Sequence, residues 1–359
     1  MKAGIYLGKE SVEIRDIPMP DCGDNDVLIE NIYSSISETD AAVYKNGPGS
    51  RHAVMAGHEF GHETISRVVD FGMNVFDFNL GERVYPYARG IKRQPGHSDT
   101  IGGFSEFILA EDARINESLY PIPDSVSDRA ACLIEPFTIG CRAARSGMRL
   151  RRAEEVFFIA TDNQPYEGDI RYQDGENAIV FGAGITGIAT ALCLRWFGME
   201  KVMVCDRSDL RLQLAANFGL ATCNIEKEDF ASKTFACFGT ARSLKGQTAD
   251  IDCWIDTTDA PSVLEDFLST GKIGSRLVSM TATDLCCPID LGELTASRKS
   301  IIGAGDSLPE DVQDVVSLMA SGVWDIESLI THEFPIDQLE EALRTAGDRE
   351  HAGTVVIKF

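Results

Sequence analysis

The sequence predicts an α/β protein in two parts, a β-rich domain over residues 1–150 and a doubly wound parallel-sheet domain over 178–305. Three observations carry this prediction. With 359 residues the chain exceeds one ordinary core and suits two domains. Its first 110 or so residues are short β-type runs broken by turn signals. From Ala178 onward, strand-like and helix-like runs alternate, which is the signature of parallel βαβ units.

In chain order, VEIRDI, DVLIENIY, ETISRVVDFG, RVYPYA and FSEFILA read as strands, separated by DCGDND, KNGPGS and FNLGE. SDRAACLIEPFTIGCRAARS, residues 127–146, carries apolar residues at helical spacing behind a Ser-Asp start and predicts a helix. Residues 151–177 are polar apart from VFFIA and read as a linker, an extra hairpin or an interface flap. Then AIVFGAG, KVMVCDRS, DIDCWIDTT and SRLVSMTA read as strands, with helices in ITGIATALCLRWFG, DLRLQLAANFG and SVLEDFLSTG. Residues 306–359 add a helix, a strand, a helix and a last strand, GTVVIKF.

Composition excludes some functions. Hydrophobic content of 44% and charged content of 25% are those of a soluble globular protein. A net charge of -23 argues against a nucleic-acid partner. No apolar run approaches the ~20 residues of a membrane span, and the N-terminus becomes charged too soon for a signal peptide, so a cytoplasmic protein is expected. The ten cysteines include no C-x-x-C, and most sit in apolar runs as small buried hydrophobes of a reducing compartment.

Gly182-Ala-Gly184-Ile185-Thr186-Gly187 lies between a strand and a helix, the context in which G-x-G-x-x-G binds a dinucleotide. The first glycine makes the turn, the second admits the pyrophosphate, and the third lets helix pack on strand, with phosphates at the helix N-terminus. Asp206 ends the next strand, where it can accept from ribose hydroxyls and repel a 2′-phosphate. NAD is therefore expected over NADP, with Arg207 the one neighbour that favours NADP. A glycine turn without a nucleotide is the plainer alternative.

GHEFGHETI contains His58-Glu59-x-x-His62, the pattern of a helical metalloprotease zinc site. Gly57 and Gly61 weaken a helix there by about 1 kcal/mol each, and TISRVVDFG behind it is β-like. His58 and Glu59 are better read as polar groups at a turn. Glu135 stands in the apolar LIEPF and needs a partner, either a metal or an arginine.

These pieces together resemble the medium-chain dehydrogenase/reductase superfamily, in its zinc-type alcohol/polyol dehydrogenases, over nearly the whole chain. S-x-T-D at 37–40, Gly57-His58-Glu59, GERV at 81–84, GGFSEF at 102–107, LIEPF at 133–137, VFGAGITG at 180–187, Asp206 and LITHEFPID at 329–337 occur in family order. The resemblance implies a GroES-like catalytic domain, completed by residues 306–359, and an inserted Rossmann domain, with the active site in the cleft. It implies a catalytic Zn2+ held at Ser37, His58 and Glu135, with Glu59 beside the histidine. It places Thr39 at the start of the proton relay and Asp40 in a positional role. Dimers or tetramers are usual in such a family.

The chain departs from the family pattern. Ser37 stands where a cysteine ligand is usual, Glu38 replaces a glycine and could supply an oxygen, His62 replaces the signature's later glycine and either points away or serves as a replacement ligand, and Ala42 replaces a relay histidine. ARGIKRQPGHSDTIGG has none of the four cysteines of a structural zinc lobe, so no structural zinc is expected. The expected metal set is His58 and Glu135 with one of Ser37, Glu38 or Glu59. The expected activity is NAD-dependent oxidation of a secondary alcohol on a polyol, sugar or amino-alcohol. The alternatives are a metal-free reductase, a redox-neutral enzyme that recycles bound NAD, and a non-catalytic NAD-binding protein.

Overall fold

The computed structural model describes residues 1–48, 54–92, 100–148, 176–280 and 286–359. The chain divides into two units, residues 1–138 with 308–359, and residues 139–307. Most of the expected linker at 151–177 lies outside the described residues, as do residues 93–99 of the stretch in which no structural zinc is expected.

Among its described residues the first unit holds ten strands: β1 (Lys2–Gly8), β2 (Ser11–Asp16), β3 (Val27–Ser35), β4 (His58–Glu59), β5 (Glu63–Phe71), β6 (Arg83–Pro86), β7 (Phe107–Ala110), β8 (Leu119–Pro121) and, from the C-terminal tail, β17 (Ile330–Pro335) and β18 (Thr354–Lys358). One sheet runs β17-β18-β3-β5-β6-β8 with β7 also on β3, and a second runs β2-β1-β4. The tail belongs to this unit because β18 pairs antiparallel with the end of β3, Val356 opposite Ser35. Tyr6, Phe60 and Phe104 share a core with Leu339, Leu343 and Ile357 of the tail, each buried side chain stabilising by about 1.5–3 kcal/mol.

Helix α1 (Glu38–Asn46) follows β3, and α2 (Asp128–Ala131) and α3 (Ile134–Gly147) replace the single helix expected over 127–146. The break has a local cause. Pro136 has no N–H to return to the Cys132 carbonyl. The Ser35 hydroxyl oxygen, whose proton goes to Glu63, lies 3.2 Å from that carbonyl.

The second unit is the expected doubly wound sheet. Its strands are β9 (Asn177–Phe181), β10 (Lys201–Asp206), β11 (Ala221–Asn224), β14 (Cys253–Asp256), β15 (Arg276–Ser279) and β16 (Ser300–Gly303), with a separate hairpin, β12 (Thr240–Ser243) and β13 (Gly246–Ala249). The six pair in parallel in the order β11-β10-β9-β14-β15-β16. Counted within the sheet this is 3-2-1-4-5-6, with its reversal point between β9 and β14. Helix α4 (Ile185–Trp196) follows β9. Among the described residues no helix is long and apolar enough to cross a membrane.

Candidate functional site

Phe60 is fully buried and packs edge-on against Phe104, with ring centroids 4.9 Å apart. Gly61 then turns the chain at φ +91°, and a Cβ there would stand 2.7 Å from the Phe104 ring. Only glycine fits both the backbone and the space. The turn delivers the chain into β5, where Glu63 lies opposite Ser35 of β3. Glu135 stands in the first turn of α3.

The ligand atoms of His62, Glu63 and Glu135 all lie within 4.8 Å of one another. Glu63 is buried, and its Oε2 accepts the Ser35 hydroxyl. Burial, then the Glu135 carboxylate, push the Glu63 carboxyl well above the usual range, against the pull of His62 and the Ser35 bond. Burial, then Glu135, likewise push the Tyr85 phenol up. Glu63, buried beside the half-buried Glu135, is stabilised by a proton or by a cation shared with it. Imidazole nitrogen and carboxylate oxygen are both ligands of divalent metals. The three residues present fit such an ion.

Of the ligand set expected from the sequence only Glu135 belongs to this group. His58 and Glu59 form β4, paired with Tyr6 and Ile5 of β1, so the pair that meets Glu135 is His62–Glu63, one triplet later. Neither histidine is on a helix, as a metalloprotease motif requires; residues 58–59 and 63–71 are strand. Glu38 is exposed and reaches Arg349 at 3.4 Å.

Ser37 is the N-cap of α1. Its hydroxyl accepts from the Asp40 N–H at 2.9 Å and donates to Asp40 Oδ2 at 2.6 Å, while its own N–H donates to that oxygen at 3.1 Å. This closes a capping box with Asp40 in the acidic position. The other Asp40 oxygen faces His62 Nδ1 at 3.7 Å. Asp40 thus ties the cap to the histidine. Thr39 sits half-buried in the same first helical turn. Cys132 donates its thiol to the Arg129 carbonyl at 3.1 Å, and burial, then Glu63, keep it protonated.

From the sequence His62 stands as one alternative ligand, and Glu63 is not singled out. The available signal was the second Gly-His-Glu at 61–63, directly ahead of the strand TISRVVDFG.

In the second unit, Gly182 turns off β9 at φ +103°, and its N–H donates to the Cys205 carbonyl at 2.8 Å. A Cβ on Gly182 would meet Thr257 Oγ1 at 2.2 Å, and one on Gly187 would meet the Gly182 carbonyl at 1.9 Å. Gly184 caps α4 without a side chain, leaving the N–H groups of the turn through Ile185 and Thr186 to face a ligand. Asp206 accepts from Ala183 N–H at 2.6 Å through Oδ2, and from Arg207 and Ser208 N–H at 2.7 and 2.9 Å through Oδ1. The acid braces the loop and keeps part of its acceptor capacity, since a carboxylate offers about four lone-pair sites. Arg207 is exposed and lies 3.7 Å from Glu226.

Residues 23–124 match the alcohol dehydrogenase GroES-like domain. The chain is 26% identical over 344 residues to L-threonine 3-dehydrogenase of Proteus mirabilis (strain HI4320), covering 91% of this chain and 90% of the relative. It is 25% identical to the enzyme of that name from Yersinia pestis (strain Pestoides F), covering 93% and 92%. In fold it is similar to 2R,3R-butanediol dehydrogenase from Bacillus subtilis (TM-score 0.79, 20% identity, covering 100% and 99%). It is also similar to galactitol-1-phosphate dehydrogenase from Escherichia coli (TM-score 0.76, 19% identity, covering 100% of both chains). With its β-rich unit, its 3-2-1-4-5-6 sheet and its glycine loop, the chain is similar over its length to oxidoreductases of the alcohol and polyol dehydrogenase type, and its residues 23–124 are those of an alcohol dehydrogenase GroES-like domain.

Proposed function

We propose that this chain oxidises a secondary alcohol on a polyol, sugar or amino-alcohol, with NAD as acceptor and a divalent metal, zinc first, at His62, Glu63 and Glu135. The observation that carries the reading is the approach of those three ligand atoms to within 4.8 Å. The substrate class rests on the names of the relatives, which are dehydrogenases of a hydroxy-amino acid, a diol and a polyol phosphate. Asp206, which can accept from ribose hydroxyls and repels a 2′-phosphate, supports NAD. Residues 1–138 with 308–359 form the catalytic domain in this reading, and 139–307 the dinucleotide domain. The enzyme is read as a homodimer or homotetramer by kinship. A cytoplasmic location suits its ten free thiols.

In the reaction the carbinol carbon gives up a hydride and the hydroxyl a proton, leaving a ketone and reduced nicotinamide. His62, Glu63 and Glu135 would hold the ion, which would supply a Lewis acid toward the substrate hydroxyl, as the dinucleotide would supply the hydride acceptor. Asp40, fixed by Ser37, orients His62 through Nδ1. Thr39 lies next to this cap and is the hydroxyl through which the proton leaves; with Ala42 in place of a histidine, water takes it onward. The glycine loop and the first turn of α4 bind the pyrophosphate.

The test is the formation of reduced nicotinamide from NAD on a panel of polyols, sugars and hydroxy-amino acids, with and without a chelator. Turnover of at least one secondary alcohol, abolished by the chelator and restored by a divalent ion, is expected. Absence of turnover across the panel counts against the reading.

A further inference from the structure

We propose that the metal centre of this chain is free of thiolate, a one-histidine, two-carboxylate site that accepts Mn2+ and Co2+ as well as Zn2+ and exchanges them. The inference rests on the reading that His62, Glu63 and Glu135 hold a metal, and concerns which ions they choose.

Three observations lead to it. The group consists of one imidazole and two carboxylates, and among the described residues no thiol belongs to it. The position where the family pattern has a cysteine is Ser37, and its hydroxyl is already engaged in both directions with Asp40. A cysteine there could not serve this box equally, because sulfur is a weak hydrogen-bond partner. The serine therefore serves the helix and, through Asp40, the histidine. The thiol nearest in sequence to Glu135, Cys132, is buried and donates to Arg129, within its own turn of helix.

The donor set decides the selectivity. Soft thiolates select zinc and other thiophilic ions, whereas carboxylates suit Mg2+, Ca2+ and Mn2+, and imidazole serves several transition metals. Removing sulfur removes the ligand that favours Zn2+ and Cd2+ over Mn2+. Two carboxylates also cancel the charge of any divalent ion, so charge does not distinguish among them. Zn2+ keeps the advantage over Mn2+ that the Irving–Williams order gives any such site. It loses the further advantage of a sulfur ligand, so Mn2+ in excess competes.

The test uses the full-length, metal-depleted protein with Co2+, Mn2+, Zn2+ and Cd2+ as probes. The Co2+ form is expected to lack the near-ultraviolet sulfur-to-cobalt charge-transfer band, and Cys132→Ala is expected to leave its spectrum unchanged. Calorimetric competition is expected to show excess Mn2+ displacing Zn2+ and Cd2+. Glu63→Gln is expected to weaken Mn2+ and Co2+ binding by at least the roughly 10–100-fold typical of losing a mere outer-shell partner. A charge-transfer band, or Cd2+ that resists Mn2+, overturns the inference while leaving the metal reading in place. Binding of none of the four ions overturns both.

Discussion

The chain carries Gly-His-Glu twice, at 57–59 and 61–63, and the two copies meet different fates. Both glycines have φ +91°. The first copy enters β4, two residues long and paired with β1 in the three-stranded sheet. The second enters β5, the main partner of β3, where its glutamate is buried against Ser35 and meets Glu135. Identical triplets thus acquire different chemistry from the strand each one enters. Which glutamate meets Glu135 is set by pairing, and pairing is a property of the whole sheet.

The largest expected contrast between the copies is in the metal. His62→Ala and Glu63→Gln should each remove bound metal and turnover, while His58→Ala should retain both; metal analysis beside a turnover assay reads the difference. A next contrast lies in the glycines. Gly61→Ala places a Cβ both at positive φ and 2.7 Å from the Phe104 ring, whereas nothing stands within 4 Å of the same atom on Gly57. Gly57→Ala should destabilise by about 1–2 kcal/mol from the backbone alone, and Gly61→Ala by roughly 1–3 kcal/mol more for overpacking, as read by denaturant unfolding.

A third contrast is in pH. The Glu63 carboxyl is held above its ordinary range in the ion-free protein. The folded state therefore binds that proton more tightly than the unfolded chain does. Its stabilising contribution is complete below the usual glutamate range and is lost as pH rises through the folded value. Unfolding of the metal-depleted protein should show this decline, and bound metal should suppress it because the ligands are then deprotonated. The smallest expected effect is at the cap. Ser37→Ala should lower stability by about 1 kcal/mol, and a shift in its metal affinity would measure how far Asp40 carries the change to His62.

Much of the second unit was legible in the sequence. Parallel strands buried on both faces read as continuous apolar runs, and VFGAG, VMVCD and CWID are such runs. The polar hairpin β12–β13 escaped because TARS and GQTA have no alternating apolar face. In the first unit the strands showed, but α1 did not, since its start is written in the Ser37–Asp40 capping box rather than in apolar periodicity. The single helix expected over 127–146 divides into α2 and α3 because Pro136 offers no N–H to the Cys132 carbonyl, an effect that apolar spacing does not display. For the site, the sequence pointed to His58 and Glu135 with one of Ser37, Glu38 or Glu59, and only Glu135 of these lies in the group formed with His62 and Glu63. Which triplet meets Glu135 depends on which one β3 pairs with.

The most direct measurement of the central claim is anomalous diffraction at the zinc and manganese absorption edges from crystals loaded with each ion. The expected result is one strong peak bounded by the His62 imidazole and the Glu63 and Glu135 carboxylates. A peak at His58–Glu59, or no peak with either ion, would contradict it.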